Sequence, residues 1–126
     1  MIKTISMYGA GLLAVITAVV HGVRGDEMMR ALPLETADMM LVRATFHIGT
    51  MGWLMGGILL FGAARITSQR ARNWIVGALL PLYGFPAIGN FMLNGGRPSF
   101  GWIALACVTI LALFGRKINN SAEVSA

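Results

Sequence analysis

Four long apolar stretches fill nearly the whole of this 126-residue chain. A helix needs about 20 apolar residues to cross a hydrocarbon layer of about 30 Å, and stretches near that length occur at about residues 5–23, 39–64, 74–93 and 100–114. Only 12% of the residues are charged, whereas soluble domains carry about 25%. The sequence therefore predicts an all-α, polytopic integral membrane protein, a four-transmembrane-helix bundle of up-down topology within residues 1–118. Residues 119–126 are predicted to be a disordered tail.

The distribution of basic residues predicts an orientation. One side of the predicted bundle carries six basic residues, Lys3, Arg65, Arg70, Arg72, Arg116 and Lys117. The other side carries Arg24, Arg30, Arg43 and Arg97. Because cytoplasmic loops are richer in Lys and Arg, we expect a multi-pass protein of the bacterial inner membrane with both termini in the cytoplasm. The net charge of +5 is then explained by the membrane-flanking loops, and nucleic acid is not expected as a partner.

Polar residues at the outer end of the bundle form the candidate site. At a rise of 1.5 Å per residue, His47 lies about 12 Å inside the second helix, and His21 lies near the end of the first. Ionisable groups at membrane depth usually face the protein interior and often mark function. The predicted ligand-binding residues are His47, Arg43, His21, Asp26, Glu27 and Asn90. In the structural alternative, Arg24, Asp26 and Glu27 are solvated loop charges, Arg43 reaches the interface, and Asn90 caps or joins helices.

Three classes of function fit this set, and whether the protein is an enzyme stays open. The first is a small binding or accessory protein whose outer, periplasmic pocket engages a small ligand or a partner subunit. The second uses His21 and His47 to hold haem b or a transition metal, since imidazole is a ligand for both. The third is an enzyme that performs acid–base chemistry on a lipid-soluble substrate. The sequence contains no nucleophile elbow, phosphate loop or dinucleotide fingerprint.

Small residues and prolines predict how the helices pack. Gly49, Gly52 and Gly56 share a face of the second helix and are expected to bind a second copy of the chain or a subunit of a larger membrane complex. Pro81 and Pro86 predict a third helix that is bent or locally unwound around residues 83–86. Residues 24–38 are expected to connect the first two helices as a short segment lying in the membrane interface.

Two motifs resemble those of a group of short, uncharacterised bacterial four-helix membrane proteins. The run from His21 through Gly25 to Asp26 matches H-x3-G-[DE] after helix 1. Arg43, Phe46 and His47, followed by Trp53, match R-x2-[WF]-H early in helix 2. The resemblance covers about residues 15–60. The group more often has Glu in place of Asp26 and Trp in place of Phe46. The resemblance implies that His21, Arg43 and His47 form one constellation, and it implies no activity.

Overall fold

The computed structural model describes residues 2–117, and its regular structure in that range is entirely helical. The helices are α1 (Ile2–Arg30), α2 (Thr36–Arg65), α3 (Gln69–Leu93) and α4 (Phe100–Gly115). The first three are long and apolar enough to cross a membrane. The fourth has 16 residues and is about 24 Å long. The prediction of an all-α chain of four helices is thus confirmed, and three of the helices have the length and apolar composition of membrane spans. The predicted tail at 119–126 lies outside the described residues.

Short connections make consecutive helices antiparallel. Helix α1 packs against α2 and α4, and α3 packs against α4 and α2. The C-termini of α1 and α3 and the N-termini of α2 and α4 therefore meet at one end, which we call the histidine end. Large apolar side chains such as Ile48, Phe85 and Ile110 are exposed on the outward faces of the helices. Surfaces of this kind suit contact with lipid rather than with water.

Glycine brings the backbones of α1 and α2 together at the middle of the bundle. A Cβ on Gly11 would lie 2.9 Å from the carbonyl oxygen of Gly57, and a Cβ on Gly57 would lie 3.0 Å from the carbonyl oxygen of Gly11. Neither position has room for a side chain unless the helices move apart. Small residues allow such close approach between membrane helices, and here they fix how α2 lies on α1.

Helix α1 is longer than the predicted 5–23, because it continues through residues 24–30. Gly22 and Gly25 do not end the helix. A Cβ on Gly22 would lie 3.0 Å from the Thr50 side chain, and a Cβ on Gly25 would overlap the Phe46 ring. An ion pair between Asp26 and Arg30, one turn apart, also supports the last turns. The predicted extent of the connection, residues 24–38, was therefore wrong, since only residues 31–35 connect α1 to α2. A position in the membrane interface stays a prediction.

Helix α3 is continuous through both prolines, so the predicted local unwinding around residues 83–86 was wrong. Pro86 has no N–H group, and the carbonyl of Leu82 consequently lacks its usual partner four residues later. The indole Nε1 of Trp53 on α2 donates to that carbonyl at 3.1 Å. The Tyr83 hydroxyl in turn donates to the Trp53 carbonyl at 2.8 Å. These two bonds join α2 to α3 at the position of the proline.

The predicted glycine face of α2 is largely used inside the chain. A Cβ on Gly56 would overlap the Tyr83 hydroxyl, and a Cβ on Gly52 would touch the Leu82 side chain at 3.7 Å. Only Gly49 of the three has open space around it. The prediction that this face binds a second copy was therefore wrong for Gly56, which is buried inside the chain, and stays a prediction for Gly49 and Gly52. An oligomer, or an accessory role in a larger membrane complex, likewise stays a prediction.

Candidate ligand cavity and ion cluster

A cavity of about 450 Å³ opens at the histidine end, and all four helices contribute to its wall. Its polar residues are Thr17, His21, Arg24, Asn90 and Ser99. Its larger apolar residues include Phe46, Trp53, Phe100 and Leu105. The apolar groups make up most of the wall, with a few polar groups at defined positions, which is the usual composition of a small-molecule site.

Two aromatic side chains of α2 hold His21 in the cavity wall. The His21 ring stacks on Phe46 with 4.4 Å between centroids, and it lies tilted against Trp53 at 4.5 Å. Within residues 2–117 neither ring nitrogen has a hydrogen-bond partner, and neither is fully buried. The imidazole is thus fixed in orientation while both of its nitrogens are free to bond a ligand.

The ion cluster of Asp26, Arg30, Arg43 and His47 joins the end of α1 to the start of α2. Oδ1 of Asp26 accepts from Nε of Arg43 at 2.8 Å and lies 3.2 Å from Nε2 of His47. Oδ2 of Asp26 accepts from Nε of Arg30 at 2.8 Å. The structure therefore brings Asp26, Arg43 and His47 together as expected, and it adds Arg30, which was not among the predicted site residues.

The cavity and the ion cluster are separate, so the predicted constellation is divided. Phe46 contacts both histidine rings, stacking on His21 and meeting His47 edge-on with centroids 5.7 Å apart. His47, Arg43 and Asp26 are not part of the cavity wall, whereas His21 and Asn90 are. Glu27, the remaining predicted residue, is exposed and has no ion pair in the part of the chain that the structure describes.

Asn90 serves both its own helix and the cavity. Its Nδ2 donates to the carbonyl of Pro86 one turn earlier in α3, at 2.9 Å, so this bond neither caps the helix nor joins it to another. Its Oδ1 faces the start of α4, 3.7 Å from where a Cβ on Gly101 would stand. A hydrogen-bond acceptor is thereby held in the wall opposite α1.

The arrangement of donors does not favour the haem or metal interpretation. Among the described residues, no group of three or more His, Cys, Asp or Glu side chains is arranged to hold a metal ion. His21 lines the cavity, while His47 is turned to Asp26. The two histidines therefore do not face a common space in which haem b or a metal would be bound by both.

Arg24 and Trp53 are site residues that the predicted set lacks. Arg24 was placed in the first connection and was not among the predicted ligand-binding residues, yet it lies within α1, three residues after His21, and lines the same cavity. Helical spacing carries that signal, since residues three apart share a face, but it depends on α1 extending past Gly22. Trp53 lies deeper on α2. The resemblance includes Trp53, but its spacing alone does not distinguish it from a membrane-facing aromatic.

The arrangement suits binding of a molecule with an apolar body and one polar end. The apolar body would contact Trp53 and Leu105 at depth, and the polar end would contact His21 and Arg24 near the surface.

No known protein family, curated protein or solved structure matches the chain.

Proposed function

We propose that the protein is a small integral membrane protein that binds an amphipathic molecule in the cavity at the histidine end. The cavity lies within the range of about 300–1,000 Å³ typical of ligand pockets. The observation that carries the proposal is His21, whose ring is held by two aromatic residues while both nitrogens lack a partner among the described residues. An imidazole held in this way is prepared for a ligand without a cost of reordering.

We also propose that all four helices cross the membrane. Helix α4 is shorter than the other three but is entirely uncharged and packs against both α1 and α3. A short span is accommodated by local thinning of the bilayer. With both termini in the cytoplasm of a bacterium, as the basic residues favour, the cavity faces the periplasm. Reporter fusions after Arg70 and after Arg97 test this orientation, and a periplasmic signal from the Arg70 fusion would contradict it.

A binding role is favoured over acid–base catalysis by the position of the carboxylates. Among residues 2–117 no acidic side chain lines the cavity beside His21. The carboxylate of Asp26 is bonded instead to Arg30 and Arg43 and lies next to His47, outside the cavity wall. The ion cluster thus joins α1 to α2 and helps to position Phe46, while the cavity holds the ligand.

Binding is measured through Trp53, which is buried in the cavity wall with 8% of its surface exposed. A variant with Trp74→Phe and Trp102→Phe leaves Trp53 as the single tryptophan. In nanodiscs of neutral lipid, 12-bromododecanol quenches a tryptophan on contact. We expect saturable quenching of Trp53. The matched reporter keeps only Trp74, which is 71% exposed on α3, and should show only the gradual quenching caused by partition into the bilayer.

Filling the cavity should abolish the saturable signal. Gly101→Leu places a large side chain in the wall. Gly49→Leu is the control, because a Cβ there meets nothing within 4 Å and Gly49 is not part of the wall. Loss of saturation in the first variant and its retention in the second support the proposal. Identical saturable quenching in both would show that the probe binds elsewhere.

A further inference from the structure

We infer that the cavity selects amphiphiles with a negatively charged head group, a carboxylate or a phosphate, and that Arg24 binds this head group. The inference rests on the ligand-binding function proposed above and adds the chemical class of the ligand. It follows from the charges of the wall, from the position of Arg24 along α1, and from the start of α4.

Arg24 supplies an unbalanced positive charge in the cavity wall. Its side chain has no ion pair among the described residues. The nearest acid in sequence, Asp26, is occupied by the ion cluster. The other acids within residues 2–117, Glu27, Glu35 and Asp38, are exposed and are not part of the wall. A cavity with one free guanidinium and no acid favours an anion, because guanidinium forms strong, paired hydrogen bonds with carboxylate and phosphate oxygens.

The charged residue that α1 contributes to the cavity wall, Arg24, lies in the C-terminal part of the helix. The residues of α1 that line the cavity recur at helical spacing, in the order Thr17, Val20, His21, Arg24, Gly25 and Met28. From Thr17 to Met28 is about 16 Å along the helix axis. Leu105 on α4 and Trp53 on α2 line the deeper part with Thr17. A ligand that follows this order has its apolar chain in the membrane and its head group beside Arg24.

The start of α4 adds positive potential at the same place. Ser99, Phe100 and Gly101 line the cavity, and the side chain of Ser99 forms no capping hydrogen bond. The backbone N–H groups of Phe100 and Gly101 have no acceptor within the described part of the chain. Unpaired N–H groups at a helix start favour negative charge. The start of α4 and Arg24 therefore both favour a negatively charged head group in the cavity.

The test compares two probes that differ only in the head group. We measure quenching of single-tryptophan Trp53 protein in phosphatidylcholine nanodiscs by 12-bromododecanoate and by 12-bromododecanol. The carboxylate should bind at least about tenfold more tightly, as expected for a charge-assisted hydrogen bond. Arg24→Gln should remove the preference. Arg97→Gln is the matched control, since Arg97 belongs to the same end of the bundle but not to the cavity wall, and it should keep the preference.

Native mass spectrometry distinguishes the two sources of such a head group. Protein is released from nanodiscs of mixed phosphatidylglycerol and phosphatidylcholine, with or without added dodecanoate. Retained phosphatidylglycerol identifies a bilayer lipid as the ligand, and retained dodecanoate identifies a free fatty acid. Both results support the inference if Arg24→Gln removes the bound species. Retention of phosphatidylcholine in proportion to its abundance contradicts it.

The outcomes separate this inference from the proposed function. Equal, saturable binding of the two bromo probes that Gly101→Leu abolishes would overturn the anion preference and leave the ligand cavity in place. Absence of saturable quenching by either probe would overturn both. Far-ultraviolet circular dichroism of each variant establishes that its helices are intact. If Arg24→Gln were misfolded, Arg24→Lys replaces it. A lysine keeps the charge but not the paired donors, so it should retain part of the preference.

Discussion

Replacement of Trp53 by phenylalanine tests how the bundle accommodates a proline inside α3. The carbonyl of Leu82 has no donor from Pro86, and the Trp53 indole supplies one at 3.1 Å. In the membrane-spanning arrangement proposed above, water cannot replace that donor. Trp53→Phe keeps an aromatic ring in the cavity wall but leaves the Leu82 carbonyl unpaired.

Two typical magnitudes bound the expected loss in the free energy of unfolding. An unpaired buried carbonyl costs about 1–3 kcal/mol, while interhelical hydrogen bonds in membrane proteins average about 0.6 kcal/mol and reach about 1.7 kcal/mol. We therefore expect Trp53→Phe to lower the free energy of unfolding by about 1–2 kcal/mol. In a Pro86→Ala background the new backbone N–H at this position can donate to Leu82, so the same substitution should cost about 1 kcal/mol less.

The four proteins of this double-mutant cycle are compared by reversible unfolding in mixed micelles of increasing dodecyl sulfate content, followed by circular dichroism. Trp102→Phe is the control, because the Trp102 indole donates to the carbonyl of Arg97 at 3.0 Å in an exposed turn, where water can take its place. It should cost under about 0.5 kcal/mol. An equal cost of Trp53→Phe in the parent chain and in the Pro86→Ala background would refute the compensation between indole and proline.

Three further changes test other contacts by unfolding. Gly56→Ala should cost about 1–3 kcal/mol through overlap with the Tyr83 hydroxyl, and adding Tyr83→Phe should recover part of that loss in the same micelle titration. Arg72→Met should cost about 1.5–3 kcal/mol in that titration, since the buried guanidinium donates to backbone carbonyls at the end of α2. In thermal melts, Asp26→Asn should lower the midpoint more than Arg30→Gln, because Asp26 bonds three side chains whereas Arg30 is 67% exposed; equal shifts would contradict the central role of Asp26.

The sequence predicted the number of helices better than their ends. Hydropathy indicates where a helix contacts lipid, and the predicted end of the first helix was therefore residue 23. The helix itself continues to Arg30, because the backbone hydrogen bonds of a helix do not depend on the polarity of its outward side chains. The turns that hold Arg24 and Asp26 are polar and helical at once. For the same reason α2 and α3 begin earlier than their apolar stretches.

The rotation of each helix about its own axis was not predictable from spacing. Periodicity shows that Arg43 and His47 share a face of α2, and the structure places them together on Asp26. Periodicity alone does not show which neighbouring helix that face of α2 contacts. The close contact of Gly25 with Phe46 sets this rotation, and a pairwise contact between two distant residues leaves no periodic signal in a single sequence.

The extension of α1 changes what its charges do. In a flexible connection, Arg24 and Asp26 would be close enough to neutralise each other. In a helix they are separated by about 200° around the axis, so they face different neighbours. Asp26 bonds Arg43 on α2, and Arg24 lines the cavity. Gly25 lies between them against Phe46. Because α1 is helical there, the acid is occupied outside the cavity wall, and Arg24 has no carboxylate partner among the described residues.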